Sequence, residues 1–296
     1  MFYIKYRFIL EKRNIVRNFS AISKKKLKEA LIPHGYQNWR RFFYALEDDI
    51  FILILVRGEF QGENSLISTY VDPIPYCVGF CGDDLDLSYR GPIRDFFPML
   101  QRIMPEDFPF EYYWSRVSAK SVEGTIRSLD FVCGLLEEHV VPYLQKLADL
   151  EFFYKEAPVL KRLEAPKSPW SHIITKEMFR MSIKLRKYED AMAYLAQREE
   201  VLRQSIRKVK NDILDWKNGN FKNHELSLQK KDSNHIEIRI CAAEKAILKD
   251  EEEISDIQIM REAFLSNEYI YLDSYVKEIE DSSRRNLQEM LTGKQK

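Results

Sequence analysis

Asp83, Asp84 and Asp86 form an acidic loop that is the best candidate for a metal site in the sequence. Carboxylate oxygens are the ligands that hard divalent cations prefer. The loop lacks the glycine and glutamate positions of an EF-hand calcium loop, and Arg90 and Arg94 follow it, which favours a solvated loop that forms salt bridges with them. Two interpretations stay open: a metal-dependent hydrolase or nuclease that uses this loop, and a solvated acidic loop.

The cysteine and histidine residues do not form a catalytic or zinc-binding pattern. Cys77 and Cys81 have no second cysteine pair and no nearby histidine, so a structural zinc site would lack half of its ligands. His34 lies in a Pro-His-Gly turn and His139 on a predicted helix, and nothing ties either to a cysteine nucleophile. Phosphate-binding glycine loops and serine or zinc hydrolase motifs do not occur. We predict no catalytic residues and no cofactor.

Aromatic and basic residues recur together in two segments and are the candidates for partner binding. In a strand, the alternate positions Tyr112, Trp114 and Arg116 lie on one face. The full set of candidates is Tyr36, Trp39, Arg40, Arg41, Tyr112, Trp114 and Arg116. Such a surface suits a protein partner or stacked bases, and ordinary packing of a sheet against helices is the competing interpretation.

The charge is balanced overall but not along the chain. The sequence has 46 basic and 46 acidic residues, which argues against a nucleic-acid binder that relies on a global positive field. Residues 1–41 nevertheless carry a net charge of +9, and residues 42–165 a net charge of −10. This asymmetry indicates either charge complementarity within the fold or a basic edge for an anionic partner. Nucleic-acid binding through Lys24–Lys28 and Arg40-Arg41 is therefore an alternative.

The first half of the chain alternates helical and strand patterns. A basic helix is expected over Ser23–Ile32, ended by Pro33 and by Gly35 as a left-handed C-cap. Ile50–Arg57 is apolar on both faces and predicts a central strand covered on both sides. The predicted strands are Arg41–Ala45, Ile50–Arg57, Leu66–Val71, Tyr76–Phe80 and Phe110–Val117. Gly58–Asn64 is expected to be a loop, and the Asp72–Pro75 segment to end the third strand.

Later residues show only helical periods. A long helix is expected over Ser121–Phe153, with Ser121 as N-cap and a kink at Pro142. Three helical patterns follow, near Thr175–Trp216, Ser233–Asp250 and Ile254–Met290, the last divided near Asn267. The first is basic before Trp216 and the next is rich in acids, so we expect the two to pack together.

We therefore predict an α+β fold. An N-terminal antiparallel sheet flanked by helices (residues 1–155) is followed by a proline-rich linker (156–170) and an all-α helical-hairpin domain (171–296). Residues 1–22 are expected to be an additional strand or a start-site artefact rather than a targeting segment. The scattered cysteines favour a reducing, cytoplasmic location. The longest apolar run has seven residues, too short for a membrane span.

The first half also resembles the bacterial domain-of-unknown-function family 4304, over about Ser23–Leu147. The matching segments are Leu31-Ile32-Pro33-His34-Gly35-Tyr36, Phe42-Phe43-Tyr44, Phe51–Val56, Arg90-Gly91, Trp114 and Val141-Pro142-Tyr143-Leu144. The N-terminal 22 residues and the acidic loop depart from the family pattern. The resemblance implies the α+β fold and supplies no catalytic residues.

Taken with the lack of a catalytic set, these features predict a cytoplasmic interaction protein that binds a protein partner without catalysis. The family resemblance adds an immunity- or defence-associated role as an expectation. The metal-dependent hydrolase or nuclease and the nucleic-acid-binding protein are the alternatives.

Overall fold

A computed structural model describes residues 19–61, 64–79, 96–109, 121–164, 171–218 and 233–293. The chain is α+β, with a four-stranded antiparallel sheet followed by helices, as predicted. The acidic loop at residues 83–86, the predicted strand Phe110–Val117 and residues 1–18 lie outside the described residues. None of the helices in the described ranges is long and apolar enough to cross a membrane.

The first helix, α1, covers residues 19–31 of the described chain and ends as predicted. A single 3₁₀ turn, Ile32–His34, follows it and contains Pro33. Gly35 then takes a left-handed conformation (φ 88°), and its N–H donates to the Ile32 carbonyl oxygen at 3.0 Å. Glycine adopts this conformation without the steric penalty of a Cβ, so the chain turns from helix to sheet here.

Four strands follow in the spatial order β1-β2-β3-β4, and each pairs antiparallel with its neighbour. Their bounds are Gln37–Trp39 for β1, Phe42–Leu46 for β2, Ile50–Gln61 for β3 and Asn64–Pro75 for β4. The residues of β3 from Ile50 to Val56 are all at most 6% exposed, which confirms that this apolar strand is covered on both faces.

The last two strands are longer than predicted. β3 and β4 pair from Ile50↔Pro75 to Gln61↔Asn64, so the predicted loop over Gly58–Asn64 is wrong for its described residues. The prolines do not end β4 early, because β4 has a strand neighbour on one side only in the described sheet. Alternate residues of such a strand need no N–H donor, and Pro73 and Pro75 are alternate residues. The predicted strand at Tyr76–Phe80 is wrong, since Tyr76–Val78 is a 3₁₀ turn.

Helices α2 (Phe96–Ile103), α3 (Val122–Leu135), α4 (Val141–Leu147) and α5 (Leu150–Glu164) complete the first part of the chain. The hydroxyl of Ser121 accepts a hydrogen bond from the Gly124 N–H at 2.9 Å, which confirms the predicted N-cap. A π-helical turn, Leu136–Val140, separates α3 from α4. Pro142 has no N–H to continue the regular ladder, and the wider turn accommodates that loss.

Residues 156–164, predicted as the start of a linker, are helical instead, because α5 continues through Pro158 to Glu164. Proline inside a helix costs stability. Here Phe153 and Ala157 on the same helix are 2% and 1% exposed, and this burial offsets the cost. Residues 165–170 lie outside the described chain.

The second part contains α6 (Ser171–Lys184), α7 (Tyr188–Lys217), α8 (Ser233–Leu265) and α9 (Tyr269–Thr292). The division near Asn267 is confirmed, but the first predicted helix is split at Arg186, and α8 runs without a break past Asp250. Both Arg186 (φ 56°) and Asn267 (φ 57°) are left-handed. In each turn the next residue donates its N–H to a carbonyl five residues back, at 2.7 and 2.8 Å.

Helices α7 and α8 pack together, and ion pairs join them as the charge pattern predicted. The pairs are Arg198–Glu253 at 2.9 Å, Lys210–Glu251 at 3.1 Å, Lys217–Glu244 at 3.8 Å and Arg261–Glu199 at 2.7 Å. These partners offset the like-charge repulsion of the acidic run at Asp250–Glu253, which explains why α8 is not interrupted there.

The chain forms two compact units, and their bounds differ from the predicted domains. The first comprises Met1–Lys167 together with Ile279–Lys296, and the second comprises Ser168–Glu278. In the first unit, Leu287 and Met290 of α9 pack in one buried cluster with Phe42, Phe51 and Tyr76 of the sheet region. The end of α9 is therefore part of the sheet's core rather than part of a separate helical domain.

A candidate anion-binding cleft between the first helix and the sheet

The connection between β1 and β2 is a tight turn made of Arg40 and Arg41. Arg40 is left-handed (φ 52°), a conformation that a residue with a Cβ rarely adopts. The side-chain amide of Asn38 holds the turn, donating to the carbonyl oxygens of Arg40 at 3.3 Å and of Phe42 at 2.9 Å. Strain of this kind persists only where the surrounding structure fixes it, and it is concentrated at binding and active sites.

This turn lines a cleft of about 300 Å³, which we call the cationic cleft. Its other walls come from α1, from β3 and from one residue each of β1 and β2. The apolar lining residues are Phe19, Leu27, Phe43, Leu55 and Val56, and the uncharged polar ones are Ser20, Ser23 and Asn38. The charged lining residues are Lys24, Arg40, Arg41 and Arg57. The lining thus includes four basic residues and no acidic residue.

The four basic residues of the cationic cleft form no ion pair with any side chain that the structure describes. Neighbours on α1 behave differently: Lys26 contacts Asp130 at 2.5 Å, and Lys25 contacts Glu29 at 3.9 Å. The pKa of Lys26 is raised, chiefly because Asp130 accepts a hydrogen bond from its ammonium group. No carboxylate of the lining offsets the positive potential of the cleft, and that potential attracts anions.

Two aromatic rings position the arginines of the turn. The Arg40 guanidinium carbon lies 4.6 Å from the centroid of the Trp39 ring, and that of Arg41 lies 5.5 Å from the Phe42 ring. The Trp39 and Phe42 rings are themselves stacked at 5.9 Å. Trp39 and Phe42 belong to the sheet face that packs on Leu287, so these two guanidinium groups lie on that face, whereas Phe43 of the cleft lies on the other.

The other predicted partner-binding residues have different positions. Tyr36 is only 4% exposed, and burial raises the pKa of its hydroxyl well above the ordinary value, with Glu47 adding to the shift. Its place in the core removes it from the binding surface. Tyr112, Trp114 and Arg116 lie outside the described residues.

Sequence reasoning missed Arg57 and the role of the turn's geometry. Arg57 is an exposed cation that follows directly after the buried apolar run of β3, and this abrupt change was the available signal. The left-handed conformation of Arg40 had no signal, since no glycine or asparagine occupies the position.

No metal centre can be built from the described residues. Within them, no group of three or more His, Cys, Asp or Glu side chains is arranged to hold an ion. The predicted candidates Asp83, Asp84 and Asp86 are outside the described ranges. Cys77 is fully buried, and burial together with nearby Glu137 raises the pKa of Cys133 to about 12, so that thiol stays protonated at neutral pH.

A second polar group lies among α2, α4 and α5. The Tyr143 hydroxyl donates to Glu156 Oε2 at 2.8 Å, and Arg102 donates to both carboxylate oxygens at 3.1 Å. Burial, and then the bond to Glu156, raises the pKa of Tyr143 far above its ordinary value. Both oxygens of Glu156 are engaged, so the carboxylate is placed to join three helices rather than to act as a base.

No family model, no curated protein and no solved structure matches the chain. The resemblance to family 4304 therefore stays a prediction.

Proposed function

We propose that this protein binds an acidic segment of a partner protein in the cationic cleft, without catalysis. The observation that carries the proposal is the group of four basic residues in the cleft lining, which form no ion pair with any side chain that the structure describes. Charged side chains at a protein surface ordinarily need no partner, but four of one sign around one concave site is an arrangement that recognises an opposite charge.

The shape of the cleft favours a protein partner over nucleic acid. Its volume of about 300 Å³ is at the small end of the range for ligand sites, and it suits a side chain better than a run of nucleotides. Single-stranded nucleic acids also need open aromatic faces for stacking. The Trp39 ring is already in contact with Phe42 and Arg40.

We also propose that the protein is cytoplasmic and that its role is immunity-like. Cys133 and Cys241 are thiols rather than disulfides, which suits a reducing compartment. An immunity protein acts by binding its partner stoichiometrically, and such binding needs a complementary surface rather than a catalytic set.

Fluorescence anisotropy tests the proposal with labelled peptides in which glutamates alternate with leucines. Uncharged peptides of the same length and single-stranded DNA and RNA serve as comparisons. We expect saturable binding of the acidic peptides, weakened at least about tenfold in the double variant Arg41→Ala/Arg57→Ala, since each lost charged contact costs about 1.5–3 kcal/mol.

The matched control is Lys25→Ala/Lys28→Ala, which removes the same charge from α1 outside the cleft. If both double variants lose the same affinity, net charge rather than the cleft is responsible. Tighter binding of DNA or RNA than of the acidic peptides would replace the protein partner by a nucleic acid.

A further inference from the structure

Helices α7 and α8 run antiparallel, and one side of the pair is open. A groove of about 390 Å³ lies between them on this side, and its apolar floor is formed by Ile213 and Ile247. The other lining residues are Lys210, Glu244, Leu248 and Glu251. Leu214 lies on the same side, because it follows Lys210 by one helical turn. Leu214 and Leu248 are 59% and 60% exposed, so the described chain leaves an apolar surface uncovered here, which we call the hairpin face.

The charges of the hairpin face are sorted by helix. On α7, intervals of three and four residues around Leu214 place four basic residues on its side of the helix: Arg203, Arg207, Lys210 and Lys217. On α8, Glu244 and Glu251 flank Leu248 at the same intervals. The ion pairs Lys210–Glu251 and Lys217–Glu244, at 3.1 and 3.8 Å, show that these residues are level across the groove. The hairpin face is therefore a positive row beside a negative row, with a leucine in each.

We infer that the hairpin face binds the same face of a second copy of this chain, in a two-fold symmetric dimer. A surface that pairs with itself face to face has its two-fold axis in the plane of contact. An axis across the helices would place α7 over the second copy's α7, so that the two basic rows would repel each other. An axis parallel to the helices places α7 over the second copy's α8, and each positive row then meets a negative row.

The same axis also pairs the leucines. A rotation about an axis parallel to the helices leaves the height of every residue unchanged, so Lys210 comes to lie over the second copy's Glu251. Leu214, which lies between the levels of Glu244 and Glu251, comes to lie over the second copy's Leu248. The result is a four-helix bundle in which all neighbouring helices are antiparallel. A second copy thus supplies both the charges and the apolar surface that the hairpin face needs.

The size of the hairpin face indicates a weak dimer. The positive row from Arg203 to Lys217 is about 21 Å long at about 1.5 Å per residue, and two helices side by side are about 20 Å wide. The projected contact is therefore about 400 Å² on each copy, below the roughly 800 Å² per partner of a standard interface. We expect the dimer to form reversibly and only at high protein concentration.

Sedimentation velocity on the full chain, from about 1 μM to about 300 μM, tests the inference. We expect a monomer–dimer equilibrium that stops at the dimer, because a self-complementary face is used up by one partner. Leu248→Ala should raise the dissociation constant at least about tenfold, since the lost contact occurs twice in each dimer. The matched control is Ile238→Ala. Ile238 is 59% exposed on the same helix, but it precedes Ile247 by nine residues and so lies on the opposite side of α8 from the groove.

Two further sets of variants test the arrangement. Lys210→Glu should weaken the dimer, and Lys210→Glu/Glu251→Lys should restore it, because the exchange re-forms the pairs within and between copies. For disulfide capture, Leu214→Cys and Leu248→Cys are made separately in a Cys81→Ser/Cys241→Ser background. Under oxidation a mixture of the two proteins should give a covalent dimer, and neither protein alone should do so, because each leucine faces the other one in the second copy.

Every other outcome counts against the inference. A chain that stays monomeric over the whole concentration range overturns it. Equal dissociation constants for Leu248→Ala and Ile238→Ala would place the contact outside the hairpin face and overturn it as well. Covalent dimers of Leu214→Cys alone would show that the two α7 helices meet, contrary to the proposed axis. The proposed function stands or falls separately, since the hairpin face and the cationic cleft share no lining residue.

Discussion

Replacing Arg40 by glycine should improve the fold and damage binding, and this opposition is the sharpest prediction that the cationic cleft allows. A left-handed residue with a Cβ costs about 1–2 kcal/mol relative to the same residue in a right-handed or extended conformation. Arg40 has this conformation (φ 52°) in the turn between β1 and β2. Glycine relieves the cost, although its freedom in the unfolded chain returns about 0.5–1 kcal/mol.

The comparison with Arg40→Ala isolates the strain. Both substitutions remove the guanidinium and its contact with the Trp39 ring, but alanine keeps the Cβ and therefore the strain. We expect the free energy of unfolding of Arg40→Gly to exceed that of Arg40→Ala by about 0.5–1 kcal/mol. At an unstrained strand position the order would be the reverse, since glycine there is less stable than alanine.

Urea denaturation followed by tryptophan fluorescence measures the difference, as a shift of the transition midpoint at unchanged slope. Binding of the acidic peptides should fall by about tenfold in both variants, because both lose the same cation. An Arg40→Ala protein more stable than Arg40→Gly would refute the account of strain. Retained affinity in both variants would show that the Arg40 guanidinium does not contact the peptide.

Two further predictions concern the second unit and the core of the first. Glu199 accepts hydrogen bonds from Arg203 at 2.6 Å and from Arg261 at 2.7 Å, and these bonds, that of Arg203 first, hold its pKa below the ordinary 4.5. The stabilisation is therefore complete above pH 4.5 and is lost as the pH falls through the lower folded-state pKa, so Glu199→Gln should be less stable by about 1–2 kcal/mol at pH 7 and by less in acid. Leu287→Ala should destabilise the first unit by about 2–5 kcal/mol in urea denaturation, because Leu287 is 3% exposed within the sheet's core.

Each of these has its own check. A stability difference between Glu199→Gln and the unmodified chain that stays constant from neutral to acid pH would exclude the carboxylate as its source. For Leu287, the exposed neighbour Gln288 supplies the control, and Gln288→Ala should change the transition midpoint little. Equal effects of the two substitutions would show that the end of α9 is not part of the core.

Local sequence patterns were sufficient to predict the structure wherever a single physical cause acts over a few residues. The run from Ile50 to Val56 is apolar at every position, so its burial on both faces follows from composition alone. Ser121 and Gly35 each satisfy a helix end by a local hydrogen bond. The turn at Arg186 was missed because arginine gives no left-handed signal, whereas Asn267, which has the same conformation, was found.

Contacts between residues far apart in the sequence could not be predicted from local patterns. Leu287 and Met290 have the spacing of any amphipathic helix, and nothing near them indicates that their partners are Phe42 and Phe51, more than two hundred residues earlier in the chain. The assignment of Ile279–Lys296 to the first unit therefore depends on tertiary packing. The same holds for the cationic cleft, which brings Lys24 together with Arg57 across the fold.

The lysine run of α1 bears on the two explanations of the positive N-terminal region, which are charge complementarity within the fold and a basic edge for an anionic partner. Lys25 and Lys26 meet Glu29 and Asp130, so the positive excess of the N-terminal region partly complements acidic residues of the same chain. Lys24 is adjacent to them in sequence, but helical spacing places it on the stripe of Ser20 and Leu27, and this stripe lines the cleft. Complementarity within the fold therefore accounts for part of the run only. Lys24 instead lines the cationic cleft, whose described lining supplies no carboxylate and where an anionic partner would supply one.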